Sequence, residues 1–186
     1  MKDNKIVNVV DIESTCWEDN HNPPAGQHSE IIEIGIVEVD LLTGGRRNKR
    51  SIIVTPEYSK VSDFCTELTT ITQEEVDQNG IPFETALDIL RQQYKTHRRT
   101  WVSWGDYDRN MFMRQCRETG TRYPFGPRHV NLKTVVSMLQ NPRKEQGVSP
   151  TLARLCLEFY GTKHRGDDDA YNIAAILLET KRTLKN

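Results

Sequence analysis

No stretch of this 186-residue chain stays apolar for long. Its longest hydrophobic runs fall far short of the roughly 20 residues that a membrane-spanning helix needs. The four cysteines, Cys16, Cys65, Cys116 and Cys156, are scattered, with no Cys-x-x-Cys pair. This argues against a zinc site and predicts reduced thiols in a cytoplasmic protein, with Cys116 and Cys156 in helical patterns as core residues. Charge of one sign is also missing: 25 Lys and Arg against 26 Asp and Glu leave a net charge of −1. A protein that grips long duplexes nonspecifically is usually more basic, so few phosphate contacts are expected. Two local basic clusters, Arg46-Arg47-Asn48-Lys49-Arg50 and His97-Arg98-Arg99, read as solvated hairpin or loop. No Gly/Ser linker, repeat or low-complexity tract interrupts the chain. Its length suits one domain, residues 1–186, with a sizeable core. The start, Met1 to Lys5, leads straight into a β-branched run and predicts no signal peptide.

What the chain does have is acid in unusual places. Ile6–Ile12 reads as a buried strand, and Asp11 and Glu13 sit at its end, two residues apart. Residues i and i+2 of a strand share a face, so both acids point one way. Placing two carboxylates beside a buried strand is costly unless a cation holds them, and oxygen-rich clusters suit Mg²⁺ or Mn²⁺. An acidic pair at a strand end can equally be solvated loop entry, so the rest of the chain must decide.

A second acidic group lies near the C-terminus, in His164-Arg165-Gly166-Asp167-Asp168-Asp169-Ala170. Ala170, Ile173, Ala174, Leu177 and Leu178 then recur at helical spacing. Acids at a helix start complement its dipole, and one of them can be a cap. Asp167 and Asp168 are read as caps, and Asp169, nearest the apolar stripe, as the inward-facing acid. His164 lies in the turn before the helix, where it can swing over a site. A third group is Gly105-Asp106-Tyr107-Asp108, between a strand candidate at Thr100–Trp104 and a helix carrying Met111, Phe112 and Cys116. Either Asp106 or Asp108 can face the site, the other serving as cap. Four carboxylates from three distant segments, with one histidine, form the pattern of a two-metal phosphodiesterase.

These motifs resemble those of the DEDDh 3′→5′ exonucleases: Asp11-Ile12-Glu13, Gly105 through Phe112, and His164 through Asp169. The chain is similar, more narrowly, to the branch that includes the 3′ histone mRNA exonuclease and its bacterial relatives. The similarity rests on Asp11 through Trp17, Glu30 through Gly35, Ser62 through Cys65, Leu68 through Thr72, and Ser103-Trp104, and covers roughly residues 5–180. The resemblance implies a ribonuclease H-like α/β fold, a mixed sheet flanked by helices. It implies Asp11, Glu13, Asp108 and Asp169 as ligands of two Mg²⁺ or Mn²⁺ ions, and His164 as general base. The Asp-to-Phe spacing of the family selects Asp108 over Asp106. The implied reaction is hydrolysis at single-stranded 3′ ends, RNA favoured, releasing nucleoside 5′-monophosphates, with no membrane partner. Rival readings are a proofreading or DNA-end-processing exonuclease, and a binding module that keeps the fold.

Substrate contacts are expected from Thr15, Trp17, Leu68, Thr69 and Thr70. Relatives carry Gly where this chain has Thr70, in a segment that lies against the terminal nucleotide. Trp17 either stacks on a base, worth roughly 1–3 kcal/mol, or closes the core. Glu33 is typical of its strand in relatives and is assigned a supporting role. His21 and His28 read as solvated loop residues, and His129 as either buried or exposed.

The remaining pattern predicts strands at Ile31–Asp40 and Lys49–Val54, joined at Gly44-Gly45. Thr72 starts a short helix with a capping-box pattern, and Pro82 opens a longer one. Further helices are expected over Asp108–Glu118, Leu132–Leu139, Leu152–Tyr160 and Asp168–Lys181, with the site at the sheet's edge where the first strand ends.

Overall fold

The computed structural model describes residues 5–19, 22–140 and 144–184. Five strands form one sheet: β1 (Ile6–Ser14), β2 (Ile31–Asp40), β3 (Arg46–Ile53), β4 (Trp101–Ser103) and β5 (His129–Asn131). The spatial order is β3-β2-β1-β4-β5. Strands β1, β2 and β3 pair antiparallel, whereas β4 and β5 run parallel to β1. The helices are α1 (Asp63–Thr69), α2 (Gln73–Asn79), α3 (Phe83–Gln93), α4 (Tyr107–Thr119), α5 (Leu132–Gln140), α6 (Val148–Arg154) and α7 (Gly166–Thr183). This mixed sheet with flanking helices is the α/β architecture that the resemblance implied.

Strand β1 therefore lies in the middle of the sheet. Its alternation sorts the core into two layers. Val10 and Ile12 join Ile34, Ile36, Leu87, Leu90 and Phe112 on one face, under α3 and α4. Val7 and Val9 join Val37, Val39, Ala170 and Ile173 on the other, under α7. Asp11 and Glu13 continue the Val7-Val9 row and so face the start of α7. A smaller cluster, Ile32, Ile53, Cys65, Ile71 and Val76, seats α1 and α2. Among the described residues, no helix is long and apolar enough to cross a membrane.

Several sequence expectations need correction. β1 runs on to Ser14, two residues past the expected Ile12, so Glu13 as well as Asp11 lies within the strand. β3 begins at Arg46, not Lys49. Helix α1 and strand β5 went unpredicted, although Ser62, whose hydroxyl accepts from Cys65 N, is an ordinary N-cap signal. The helix expected over Leu152–Tyr160 is instead α6, ending at Arg154. Cys156 there adopts φ 56, with its own amide on Ala153 O and the Leu157 amide on Leu152 O. This doubly bonded left-handed termination usually announces itself by a glycine, which is missing here. Cys156 is exposed and not a core residue, whereas Cys116 is buried.

The basic clusters are not simply solvated. Arg46 lies over the Tyr171 ring at 3.8 Å, and Arg99 is buried and ion-paired to Glu38. Of the two loop histidines, His28 sits 3.9 Å from Glu118, and His21 lies outside the described residues. His129 is half-buried and shares a 2.8 Å hydrogen bond with the Ser103 hydroxyl.

Candidate active site

Three elements converge at the C-terminal half of β1. The strand itself supplies Asp11 and Glu13, with Glu13 directly across from Glu33 of β2. The pairing of β1 with β4 stops at Val9 and Val102. Beyond that point the Ile12 amide donates to Asp108 Oδ1 at 3.0 Å. This bond fixes the first turn of α4 against β1 and keeps Asp108 only 3 % exposed. Asp106, the other candidate, is exposed and accepts from Asn131 Nδ2 at 3.0 Å.

The start of α7 is held by an unusually close backbone approach. A Cβ on Gly35 would lie 1.8 Å from the Gly166 carbonyl carbon, and one on Gly166 would lie 3.1 Å from Asp11 O. Only paired glycines let helix and sheet meet this closely. Buried Glu33 completes the seat. Its Oε2 accepts from Gly166 N at 2.7 Å, and its Oε1 pairs with Arg165 Nη2 at 3.1 Å. Arg165 also reaches Glu75 of α2 at 2.9 Å.

Asp169 then lies in the first helical turn, and its Oδ2 accepts from His164 N at 2.7 Å. That bond fixes the preceding turn, where His164 sits exposed at φ 59. The neighbouring acids do not cap the helix, contrary to expectation. The N-cap is Arg165, whose side chain makes no cap bond. Asp167 and Asp168 instead flank Lys49 Nζ at 2.5 and 2.7 Å, and Asp168 accepts from Thr162 N. They lie inside the first turn, where Lys49 from β3 offered a stronger partner than the helix's own amides.

The result is a concentration of like charge. Burial pushes the Asp11 carboxyl well up from its ordinary range, with Asp108, Glu13, Asp169 and Glu33 adding repulsion. Burial raises Glu13 to about 9, reinforced first by Asp169 and then by Glu33 and Asp108. Asp108 rises to about 7 and Asp169 to about 6, each mainly through burial. Donor atoms of Glu13, His164 and Asp169 lie within 4.8 Å of one another. Hard carboxylate oxygens around one point, unable to ionise together unaided, are the donor set that suits a divalent cation.

The expected substrate contacts divide by exposure. Thr15 is buried; its hydroxyl accepts from Glu30 N at 2.9 Å and donates to His28 O at 3.1 Å. Thr69 is also buried, donating to Cys65 O at 2.8 Å. Trp17 is half-buried, and Leu68 and Thr70 are exposed on α1 and its C-cap. Thr70 has φ 64, the left-handed region that favours glycine. Sequence reading passed over Phe64, four residues before Leu68, and Tyr107, whose hydroxyl bonds Ser14 Oγ at 2.8 Å. Both expose ring surface. The i, i+4 pair Phe64 and Leu68 could have been found had α1 been recognised.

The family model RNase_T, described as Exonuclease, matches residues 9–177. The chain is 30 % identical to the 3′-5′ exonuclease Snipper of Drosophila melanogaster over 98 % of its own length and 71 % of that protein. It is 31 % identical to 3′-5′ exoribonuclease 1 of Homo sapiens, covering 91 % of this chain and 50 % of the relative. Among solved structures it resembles the nuclease domain of 3′hExo, a DEDDh family member bound to rAMP. The TM-score is 0.86 and the identity 27 %, covering 98 % of this chain and 94 % of that one. Sequence and geometry thus agree, and the chain belongs to the RNase_T exonuclease family as a DEDDh-type 3′→5′ exonuclease.

Proposed function

We propose that this protein removes nucleotides one at a time from single-stranded 3′ ends, RNA in preference to DNA, releasing nucleoside 5′-monophosphates. The observation that carries this reading is the grouping of Glu13, His164 and Asp169, whose donor atoms lie within 4.8 Å of one another, with the Asp11 and Asp108 carboxyls close enough to repel them. Preference for RNA is supported by the relatives' names and by the rAMP bound to 3′hExo. Asp11, Glu13, Asp108 and Asp169 would hold two Mg²⁺ or Mn²⁺ ions. Such ions, when bound, polarise the phosphodiester and neutralise charge on attacking and departing oxygens.

The chain's own residues supply the rest. The His164 ring, in an exposed turn beside Glu13 and Asp169, accepts the proton of the attacking water. The Asp169 carboxylate, through the His164 amide, fixes the turn that presents the ring. Trp17, Leu68 and Thr70, with the backbone at Thr15 and Thr69, would contact one terminal nucleotide. A wall on that side would admit a free 3′ hydroxyl and exclude a continuing strand. The free thiols fit a reducing cytoplasmic setting.

The test uses matched single-stranded RNA and DNA, 5′-labelled, in linear and circular form. Stepwise shortening of linear RNA, slower on DNA, slowed by pairing at the 3′ end and absent on circles, is expected. Faster loss of DNA would favour a DNA-end-processing enzyme, and degradation of circles would show an endonuclease. Binding without turnover would favour a module that keeps only the fold.

A further inference from the structure

A second concave site lies along α4, on a face separate from Asp108. It is an open cavity of about 440 Å³ bounded by Arg109, Met113 and Arg117 of α4 and by Trp101, Tyr123 and His129. This volume is in the range of small-ligand sites. Residues 109, 113 and 117 follow at i, i+4 and i+8, so one helix face carries both arginines. Arg114, on another face, is turned toward Glu118 at 3.9 Å. Arg109 and Arg117 are exposed and have no carboxylate partner among the described residues.

The far wall is aromatic and fixed. Trp101 is the buried floor, sandwiched between Phe125 at 4.1 Å and His129 at 4.2 Å, while the half-buried rings of His129 and Tyr123, the latter edge-on to Phe125 at 5.5 Å, line the cavity. The loop carrying Tyr123 is pinned behind, where Thr96 Oγ1 donates to Pro124 O at 2.7 Å and Gly126 N donates to Thr96 O at 3.1 Å. Trp101 also has a buried indole N–H without a partner. Cations on one wall and the half-buried rings of Tyr123 and His129 on the other suit a nucleotide strand: phosphates for the first, bases for the second.

Helical rise puts Arg109 and Arg117 about 12 Å apart along the axis. That is too far for one phosphate and suits phosphates about two nucleotides apart on a strand. Arg109 directly follows Asp108 on α4, so the arginine row starts one residue from a proposed metal ligand. We propose that this cavity holds an internal segment of the single-stranded substrate, one or more nucleotides upstream of the bond being cut. The proposal rests on the exonuclease reading for its substrate but on different residues.

The test compares wild type with the double variant R109Q/R117Q on an RNA dinucleotide and a single-stranded RNA decamer. The dinucleotide cannot span both sites, so its hydrolysis should be unchanged. For the decamer KM should rise about tenfold with kcat unchanged. The slope of log(kcat/KM) against log salt should become shallower by about 1.4, two phosphate contacts at roughly 0.7 each for single strands. Unchanged decamer kinetics, or equal losses on both substrates, would overturn the proposal. Polarisation of a 5′-fluorescein RNA decamer in EDTA reads the cavity without turnover; wild type should bind it and the variant should bind at least fivefold more weakly. Equal binding by both would also overturn it. Competition of 5′-AMP for that arginine-dependent binding at concentrations comparable to the decamer would show a mononucleotide pocket, and the strand-track proposal would then be wrong.

Discussion

At the scale of single residues, the fold brings donor atoms of Glu13, His164 and Asp169 within 4.8 Å of one another and sets Asp11 and Asp108 close enough to add repulsion. Asp11 and Glu13 were legible because a strand's two-residue period needs no tertiary information. Asp169 was legible from its place beside the apolar stripe of its helix, whereas Asp108 needed the family's spacing, since local pattern left Asp106 open. What stayed hidden were the partners. Nothing in sequence says that Lys49 takes Asp167 and Asp168, or that Glu33 anchors the amide of Gly166. These contacts join residues more than a hundred positions apart and exist only in the folded chain. His164 carries the sharpest prediction at this scale. His164→Ala should lower the turnover rate by roughly 10²–10⁴-fold, the usual worth of a positioned general base. Metal titration of the same variant should show affinity within a few fold of wild type. A parallel collapse of affinity would make the ring a ligand instead, which its closeness to Glu13 and Asp169 also permits.

At the scale of elements, the strands and longer helices were legible from periodicity, and β2 was read to the residue. The misses share a cause. α1 is seven residues long, β5 three, and α6 ends in a left-handed Cys156, so each lacked the length or the glycine that sequence patterns need. The docking of α7 rests on the contact between Gly35 and Gly166. Gly35→Ala should therefore displace the first turn of α7, with Asp169 and His164. We expect a loss of at least about 3 kcal/mol, the upper range for overpacking, measured by urea unfolding. Activity should fall even at temperatures where the variant is folded. Thr70→Gly offers the opposite case. Relieving a left-handed threonine returns roughly 1–2 kcal/mol, against about 0.4–1 kcal/mol lost to a more flexible unfolded chain. A net change between zero and a rise of about 1.6 kcal/mol is expected, and a clear loss of stability would show that the Thr70 side chain makes stabilising contacts of its own.

At the scale of the whole molecule, the near-neutral charge hides an acidic centre in the middle of the sheet. Its carboxyl groups titrate higher in the folded protein than the ordinary value near 4 in an unfolded chain. Such groups favour folding below their unfolded pKa, and that contribution is lost as pH rises through their folded pKa. The metal-free protein should accordingly lose thermal stability as pH rises through about 6 for Asp169, 7 for Asp108 and 9 for Glu13. A melting series from pH 5 to 9 in EDTA reads this directly. A divalent cation held by this cluster would bind only the folded arrangement, so the rise in Tm on adding Mg²⁺ or Mn²⁺ should be larger at pH 8 than at pH 5.5. A Tm that climbs with pH in EDTA would contradict the raised carboxyl groups.

The central claim is that the acidic cluster on β1, α4 and α7 is a metal-dependent centre for cutting 3′-terminal phosphodiesters. It is tested most directly by following nucleoside 5′-monophosphate release from single-stranded RNA, comparing wild type with Asp11→Asn, with Mn²⁺ and with EDTA. Steady release by wild type with Mn²⁺, none in EDTA, and none from a folded Asp11→Asn protein is the predicted result. Undiminished release by Asp11→Asn, or by wild type in EDTA, would contradict it.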